Sequence, residues 1–341
     1  MRIAVIGCLG SMGRRRIRNL KALGYTDIIG YDVVDYKKAK PDCWYIDMLD
    51  EVENLLKNPT GEYPKVDGII ISVPPLQKQK YIDLSNRYNV PCFIEADVTE
   101  YTGNYYSSAT LRHHPAIQKI KELLDGGALE KVYTFTYHMG QSIYDWHPGC
   151  NMKTYYAAQK ESGACREMFC FELSWLSYLF GTPTDAKGMI DKKLDDLDIT
   201  ADDVYGACIQ FYDSKQNVTC IPINSNATEF KAINSNTVTG TMLIEILSRH
   251  AVRELRIVGE KCNLLWNWNN SYISLEHPDG VVITYSYDKG KAAPGYNTNI
   301  CEQMYIAEMQ NFIDAIQGKA EYLFSHEDEK AVMEMLKKIE R

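Results

Sequence analysis

Three glycines set between an apolar strand and a helix constrain this chain more than any other feature. The segment is Arg2-Ile-Ala-Val-Ile-Gly7-Cys-Leu-Gly10-Ser-Met-Gly13. Ile3–Ile6 is apolar without alternation, the pattern of a strand buried on both faces. Met12–Leu23 then carries Met12, Ile17, Leu20 and Leu23 on one side of a helix, and Gly24 supplies the stop. Similar unbroken apolar runs recur at Ile28–Tyr31, Gly68–Val73 and Cys92–Ile94, with helical stretches between them. Strand, helix and strand at this spacing predict an α/β domain with a doubly wound parallel sheet over residues 1–117.

The 341 residues leave room for a second domain. After Glu130 the runs become partly alternating: Val132–Tyr137, Val204–Phe211, Val218–Ile223, Thr241–Leu247, Leu255–Val258, Leu264–Trp268, Tyr272–Leu275 and Val281–Tyr287. Asp279-Gly280 is a hairpin turn signal. Residues 118–341 therefore read as an α+β domain built on a large, open, mainly antiparallel sheet with one wet face. Two helices interrupt it, near 164–180 and 302–317; the second, with Tyr305, Met309, Phe312 and Ile316 on one stripe, is expected to pack back towards the first domain.

Charge narrows the partners. Lys and Arg total 37 against 45 acids, a net charge of -8, which is not the footprint of a nucleic-acid or membrane binder. No apolar run reaches the roughly 18 residues that span a bilayer, and Met1-Arg2 leads directly into a strand instead of a signal peptide. The ten cysteines form no CxxC and no cluster with histidines at zinc spacing, so no metal is expected. Scattered thiols in apolar runs, such as Cys92 and Cys208, suit a reducing cytoplasm.

The glycine segment also carries chemistry. Glycines let the backbone turn tightly and approach a pyrophosphate, while the following helix offers its free N–H groups. Asp32 closes the second apolar run, nineteen residues beyond Gly13. A carboxylate there accepts the hydroxyls of an adenosine ribose. Gly7, Leu9, Gly10, Ser11, Met12, Gly13 and Asp32 are accordingly the expected dinucleotide contacts, with Ser72, Pro74 and Glu95 at the ends of the next strands. Asp32 would repel a 2′-phosphate and so favours NAD; Arg14, Arg15 and Arg16 keep NADP open. The alternative is a glycine-rich turn that holds no ligand.

The same stretch, Ile-Gly-Cys-Leu-Gly-Ser-Met-Gly-Arg-Arg, resembles the Gfo/Idh/MocA oxidoreductases, which include glucose–fructose oxidoreductase and inositol dehydrogenase. The resemblance extends over nearly the whole chain. Ser72-Val-Pro-Pro75 is similar to the family's Thr-Pro-Pro turn, and Phe93-Ile-Glu95-Ala96-Asp97 stands where it has Glu-Lys-Pro. Leu111-Arg-His-His-Pro115 resembles its Arg-Phe-His-Pro segment. Asp145-Trp-His-Pro148, Tyr156 and Phe171-Glu-Leu-Ser174 resemble a branch found with sugar and nonulosonate pathways. The resemblance implies a Rossmann domain, an open α+β domain, an active site between them, and a homodimer or homotetramer. It also implies hydride transfer between NAD(P) and a small-molecule carbohydrate.

The departures fall on the family's proton-handling positions. Its Lys is Ala96 here, its His is Phe171 and its Asp is Ser174. Four other side chains are candidates. Tyr156 and Lys160 are four apart, on one face if the segment is helical, where an ammonium would lower the phenol's pKa; the alternative is two side chains on a solvated helix. His147 is the commonest kind of acid–base group near neutrality, or a hydrogen-bonded loop histidine. Glu172, in an apolar helix, is either a perturbed acid near the cofactor or half of a buried pair. Three readings follow: a sugar oxidoreductase with a relocated proton relay, a non-catalytic NAD-binding sensor or regulator, and an NAD-using glycosidase or lyase.

Overall fold

The computed structural model describes residues 1–34, 44–46, 49–57, 65–146, 148–212, 220–222, 230–232, 237–290, 292 and 301–341. It divides into two compact units, Met1–His114 with Gly290–His326, and Pro115–Lys289 with Glu327–Arg341.

The first unit begins with β1 (Ile3–Ile6), α1 (Ser11–Ala22), β2 (Ile28–Tyr31), β3 (Trp44–Ile46), α2 (Leu49–Lys57), β4 (Gly68–Ile71), α3 (Pro75–Arg87), β5 (Cys92–Ile94) and β6 (Tyr106–Ser107). Its six strands are all parallel, in the order β3-β2-β1-β4-β5-β6. The apolar runs are continuous because both faces are covered. Ala4, Ile6, Ile29, Ile69 and Ile71 pack with Val52 and Leu55 of α2 and Tyr81 and Ile82 of α3. On the other face, Ile3, Val5, Ile28, Ile70 and Phe93 pack with Ile17 and Leu20 of α1. The run expected to reach Val73 stops at Ile71. There the chain turns through Ser72-Val73-Pro74 into α3, and Pro75, which has no N–H to lose, opens that helix.

The second unit contains α4 (Pro115–Asp125), β7 (Val132–Gly140), α5 (Ala164–Phe180), β8 (Thr182–Asp191), β9 (Val204–Tyr212), β10 (Cys220–Pro222), β11 (Phe230–Ala232), β12 (Thr237–Glu245), β13 (Val252–Gly259), β14 (Asn263–Asn267), β15 (Tyr272–Glu276) and β16 (Val282–Ser286). β10 and β11 pair as a separate ribbon, and Val218, Thr219 and Ile223 of the run expected there lie outside the described residues. The other eight strands form one sheet, ordered β16-β15-β14-β13-β7-β12-β9-β8. All its neighbours are antiparallel except β7 and β12. Alternation sends Phe135, Tyr137, Ile209, Phe211, Leu255, Ile257 and Trp266 into the core, while Thr134, Thr136, Thr239, Thr241, Glu254 and Arg256 stay wet. The Phe180 ring of α5 stacks on Phe135 with centroids 4.5 Å apart. β8 escaped the sequence reading because Pro183 and Gly188 argue against a strand. As an edge strand it tolerates both, with a register shift between Pro183 and Asp185.

The chain closes with α6 (Glu302–Ile316) and α7 (His326–Ile339). The second domain does not run unbroken over 118–341 as expected, because residues 290–326 belong to the first unit. Met309, Phe312 and Ile313 of α6 complete the α1 face of the parallel sheet. Polar bonds fix the same helix. Arg16, fully buried on α1, donates to Glu308 at 2.8 Å and to both oxygens of Glu95 at 2.9 and 2.7 Å. Glu308 also accepts from the Ser108 hydroxyl, the Ala109 N–H and the Thr110 hydroxyl at 3.0, 2.8 and 2.9 Å.

A buried ion group that loses one member leaves the others uncompensated, at about 3–5 kcal/mol. Arg16→Met is therefore expected to destabilise the first unit by that amount in chemical denaturation. Pairing it with Glu308→Leu should recover part of the loss. A change below about 1 kcal/mol, the ceiling for exposed pairs, would show that Arg16 is not the structural cation.

Candidate functional site

At the end of β1 the backbone turns so tightly that only hydrogen fits at two of the three glycines. Gly7 has φ +79°, and a Cβ on it would lie 2.3 Å from the Ser72 carbonyl oxygen. A Cβ on Gly13 would lie 2.1 Å from the Gly7 oxygen. Gly10 is less restricted, with the same oxygen at 3.3 Å. Gly10 is the N-cap of α1, where no side chain caps the helix and no acid stands in its first turn. The first turn, with Ser11 exposed and Met12 half-buried, thus has a positive end that no acid of the helix neutralises, the kind of end that suits an anion.

Asp32 follows β2 and is largely buried. Its carboxylate accepts from the Leu9 N–H at 3.0 Å and the Val34 N–H at 3.1 Å, so it locks the glycine turn to the end of the neighbouring strand. The structure brings Gly7, Leu9, Gly10, Ser11, Met12, Gly13 and Asp32 together. These residues fit a dinucleotide: backbone approach where a Cβ would block it, a helix N-terminus with no side-chain cap, and a carboxylate beside them.

The three arginines separate. Arg15 is buried, 3.5 Å from Glu302 and over the Tyr305 ring at 4.2 Å. Arg16 is held by Glu95 and Glu308. Arg14 alone of the three is exposed, and its Nε donates to the Leu9 carbonyl at 2.9 Å.

Ser72 and Pro74 sit in the turn after β4, and the Ser72 hydroxyl donates to Glu95 at 2.8 Å. Glu95, at the end of β5, is committed to Arg16. Burial alone would raise its carboxyl, but the Arg16 guanidinium, with Ser72 and Lys78, holds it below the ordinary carboxylate range. Burial pushes Glu308 the other way, above its ordinary value, with the nearby Glu95 charge adding to the effect. Lys78, to which the sequence reading assigned no role, is 2% exposed and bonds the Glu95 carbonyl at 2.5 Å and the Asp97 carboxylate. Tyr101 donates to that same Asp97 at 2.8 Å. Glu308 went unnoticed, although an acid on the stripe of Tyr305, Met309 and Phe312 is a legible sign of a buried partner.

In the second unit Glu172 is fully buried and paired. It accepts from Arg253 at 2.6 Å, the Tyr137 hydroxyl at 2.6 Å and the Trp175 indole at 2.7 Å. Burial, then the Glu172 charge, holds the Tyr137 phenol well above its ordinary value. Tyr156 and Lys160 do not share a helix. Tyr156 opens a three-residue 3-10 turn, and Gln159, with ψ 145°, is extended, so four-residue spacing no longer stacks side chains. Lys160 is 68% exposed and faces Asp202 at 4.0 Å, while Tyr156 packs edge-on to Tyr155. His147 lies outside the described residues. Ser174 donates to the Phe171 carbonyl at 2.7 Å within α5.

Residues 117–264 match the family model of the GFO/IDH/MocA C-terminal domain. Over its whole length the chain shares its fold with solved oxidoreductase structures. An oxidoreductase from Agrobacterium radiobacter in complex with NAD+, L-tartaric acid and magnesium has a TM-score of 0.74 at 11% identity, covering 100% of this chain and 95% of that one. Levoglucosan dehydrogenase in complex with NADH gives 0.70 at 11%, covering 98% and 94%. The UDP-N-acetylglucosamine 3-dehydrogenase of Acidithiobacillus ferrooxidans gives 0.65 at 15%, covering 100% and 96%. No curated protein sequence matches the chain. Among the described residues no helix is long and apolar enough to cross a membrane.

His113, in the 3-10 turn Thr110–His113, gives the first unit a pH signature. Burial, helped by Arg112 and Arg16, pushes its imidazole down to about 4. The unfolded chain takes up that proton near pH 6.5, so stability falls as pH drops from there towards 4, by up to about 3 kcal/mol. The depressed carboxyls of Glu95 and Glu245 add losses only below their ordinary value near 4.5. Denaturation midpoints between pH 7 and 4.5 should fall in the native chain and fall less in His113→Asn. An equal slope in the two proteins would remove His113 as the cause.

Proposed function

We propose that this chain is an NAD-dependent oxidoreductase acting on a hydroxyl or ketone of a sugar or sugar-derived molecule. The observation that carries the reading is the glycine turn locked against Asp32. The first-turn N–H groups of α1 would hold the pyrophosphate, and Asp32 would accept from the adenosine ribose. A 2′-phosphate would meet that carboxylate with Arg14 as the only exposed cation of the Arg14–Arg16 run, which favours NAD over NADP. A bound nicotinamide supplies the hydride chemistry. Structures of the same fold act, by name, on levoglucosan and on a nucleotide sugar, which supports the substrate class by analogy.

The hydroxyl proton needs an acceptor, worth about 10²–10⁴ in rate. Glu95 and Glu172 are poor acceptors, because each carboxylate is saturated by a guanidinium and neutral donors. Tyr156 and His147 remain the candidates for this chain, without the lysine partner first expected for Tyr156. The same observation favours a second reading, a non-catalytic NAD-binding regulator: Ala96, Phe171 and Ser174 replace the family's proton-handling groups, and the nearby acids are locked in ion pairs.

Calorimetry with NAD and NADP, and nicotinamide absorbance with a panel of sugars and nucleotide sugars, separate the two. NAD binding with turnover supports the enzyme; NAD binding without turnover supports the regulator; no heat with either dinucleotide sinks both. Asp32→Ala should weaken NAD by about 10–100-fold, the cost of losing hydrogen bonds to a charged group, and narrow the gap to NADP. An unchanged preference would contradict the ribose assignment. Tyr156→Phe should cut turnover with NAD affinity intact, and equal turnover would remove Tyr156 from the reaction.

A further inference from the structure

Among the described residues Lys78 is the only buried lysine. A lysine normally keeps its ammonium in water, so one held inside needs partners. Two are present at the start of α3. The Glu95 carbonyl accepts from Nζ at 2.5 Å, and the Asp97 carboxylate pairs with it. That carboxylate is itself fixed, accepting from the Tyr101 hydroxyl at 2.8 Å and the Thr99 N–H at 2.6 Å. An ammonium has three N–H donors. The third meets no acceptor among the described residues. The Tyr101 ring, with its centroid 5.9 Å away, stands at the outer limit of a cation–π contact. Ala96, which follows the accepting carbonyl, brings no polar side-chain atom.

The strand order tells where this donor lies. β1 runs between β2 and β4, and β5 is the next strand beyond β4. A dinucleotide with its adenosine at Asp32, after β2, and its pyrophosphate over the glycine turn has its second nucleoside at the ends of β4 and β5. Contacts run along the same line. Gly7 packs so closely on Ser72 that a Cβ would lie 2.3 Å from its carbonyl oxygen. The Ser72 hydroxyl reaches the Glu95 carboxylate at 2.8 Å, and the Glu95 carbonyl holds Lys78. From the β2 end to the β5 end is three strand spacings, about 14 Å, the span of an extended dinucleotide.

We infer that Lys78 is the cofactor-binding donor at this end: its third N–H holds an oxygen of the nicotinamide nucleoside, either the carboxamide or a ribose hydroxyl. The other charged groups at these strand ends are already committed, Arg16 to Glu95 and Glu308, and Glu95 to Arg16 and Ser72. The inference rests on the dinucleotide reading of the glycine turn and adds the donor for the second nucleoside. The contact is a hydrogen bond in which no proton changes hands, so it leaves the proton acceptor of the reaction with Tyr156 and His147.

Calorimetry of the full chain with ADP, ADP-ribose and NAD reads the contact in steps, because ADP-ribose adds the second ribose and NAD adds the nicotinamide. Lys78→Met should leave ADP affinity in place and weaken NAD by about 10–100-fold, the loss of one hydrogen bond to a charged group. ADP-ribose should fall with NAD if the acceptor is the ribose, and hold with ADP if it is the carboxamide; either pattern supports the inference. Lys78→Met/Asp97→Asn leaves no carboxylate unpaired. It should repeat the pattern and carries the test if circular dichroism shows the single variant unfolded. An equal loss for all three ligands makes Lys78 a structural cation and overturns the inference. So does unchanged NAD affinity in a folded variant. Native chain that gives no heat with any of the three sinks the dinucleotide reading itself, and this inference with it.

Discussion

Arg16 has no route to water, and two carboxylates answer to it. That constraint organises the first unit. Its guanidinium stands on the helix that follows the glycine turn, Glu95 ends the fifth strand, and Glu308 sits on a helix nearly three hundred residues later in sequence. The backbone and hydroxyls of Ser108, Ala109 and Thr110 close the group on the Glu308 side, and Ser72 closes it on the Glu95 side. Hydrophobic packing could tolerate small slides between these elements. A desolvated ion group cannot, because each partner that moves leaves a charge without compensation.

The dinucleotide candidate inherits that rigidity. The turn at Gly7 and Gly13 is a matter of contact distance: backbone oxygens occupy the space a side chain would need. Asp32 then fixes the turn from the neighbouring strand through Leu9. The site is therefore preorganised by packing on one side and by hydrogen bonds on the other. The same economy has a cost for chemistry. Acids near the strand ends are used as structural anchors, and a carboxylate saturated by a guanidinium makes a weak proton acceptor.

Much of this was legible in the sequence. Unbroken apolar runs gave the parallel strands, partial alternation gave the half-wet sheet, and the spacing of the glycines with Asp32 marked the turn. Glu172 in an apolar helix announced a buried partner, though not that the partner would be Arg253. Other readings failed for identifiable reasons. The Tyr156–Lys160 couple rested on a helical period that an extended Gln159 interrupts. β8 was invisible because its Pro183 and Gly188 are tolerated only at an edge, and edges are a property of the assembled sheet. Arg15 and Arg16 looked like surface cations available to a phosphate because nothing local reveals that acids from α6 will bury them.

The sequence by itself determined the class of each domain and the location of the tight turn, since periodicity and steric demand are local properties of the chain. Tertiary structure alone decided which charges are partners, which helix joins which unit, and which strand is left with an open edge. Those outcomes depend on residues far apart in sequence meeting in a low-dielectric interior, where a charge is stable only beside its opposite and a backbone group only beside its complement.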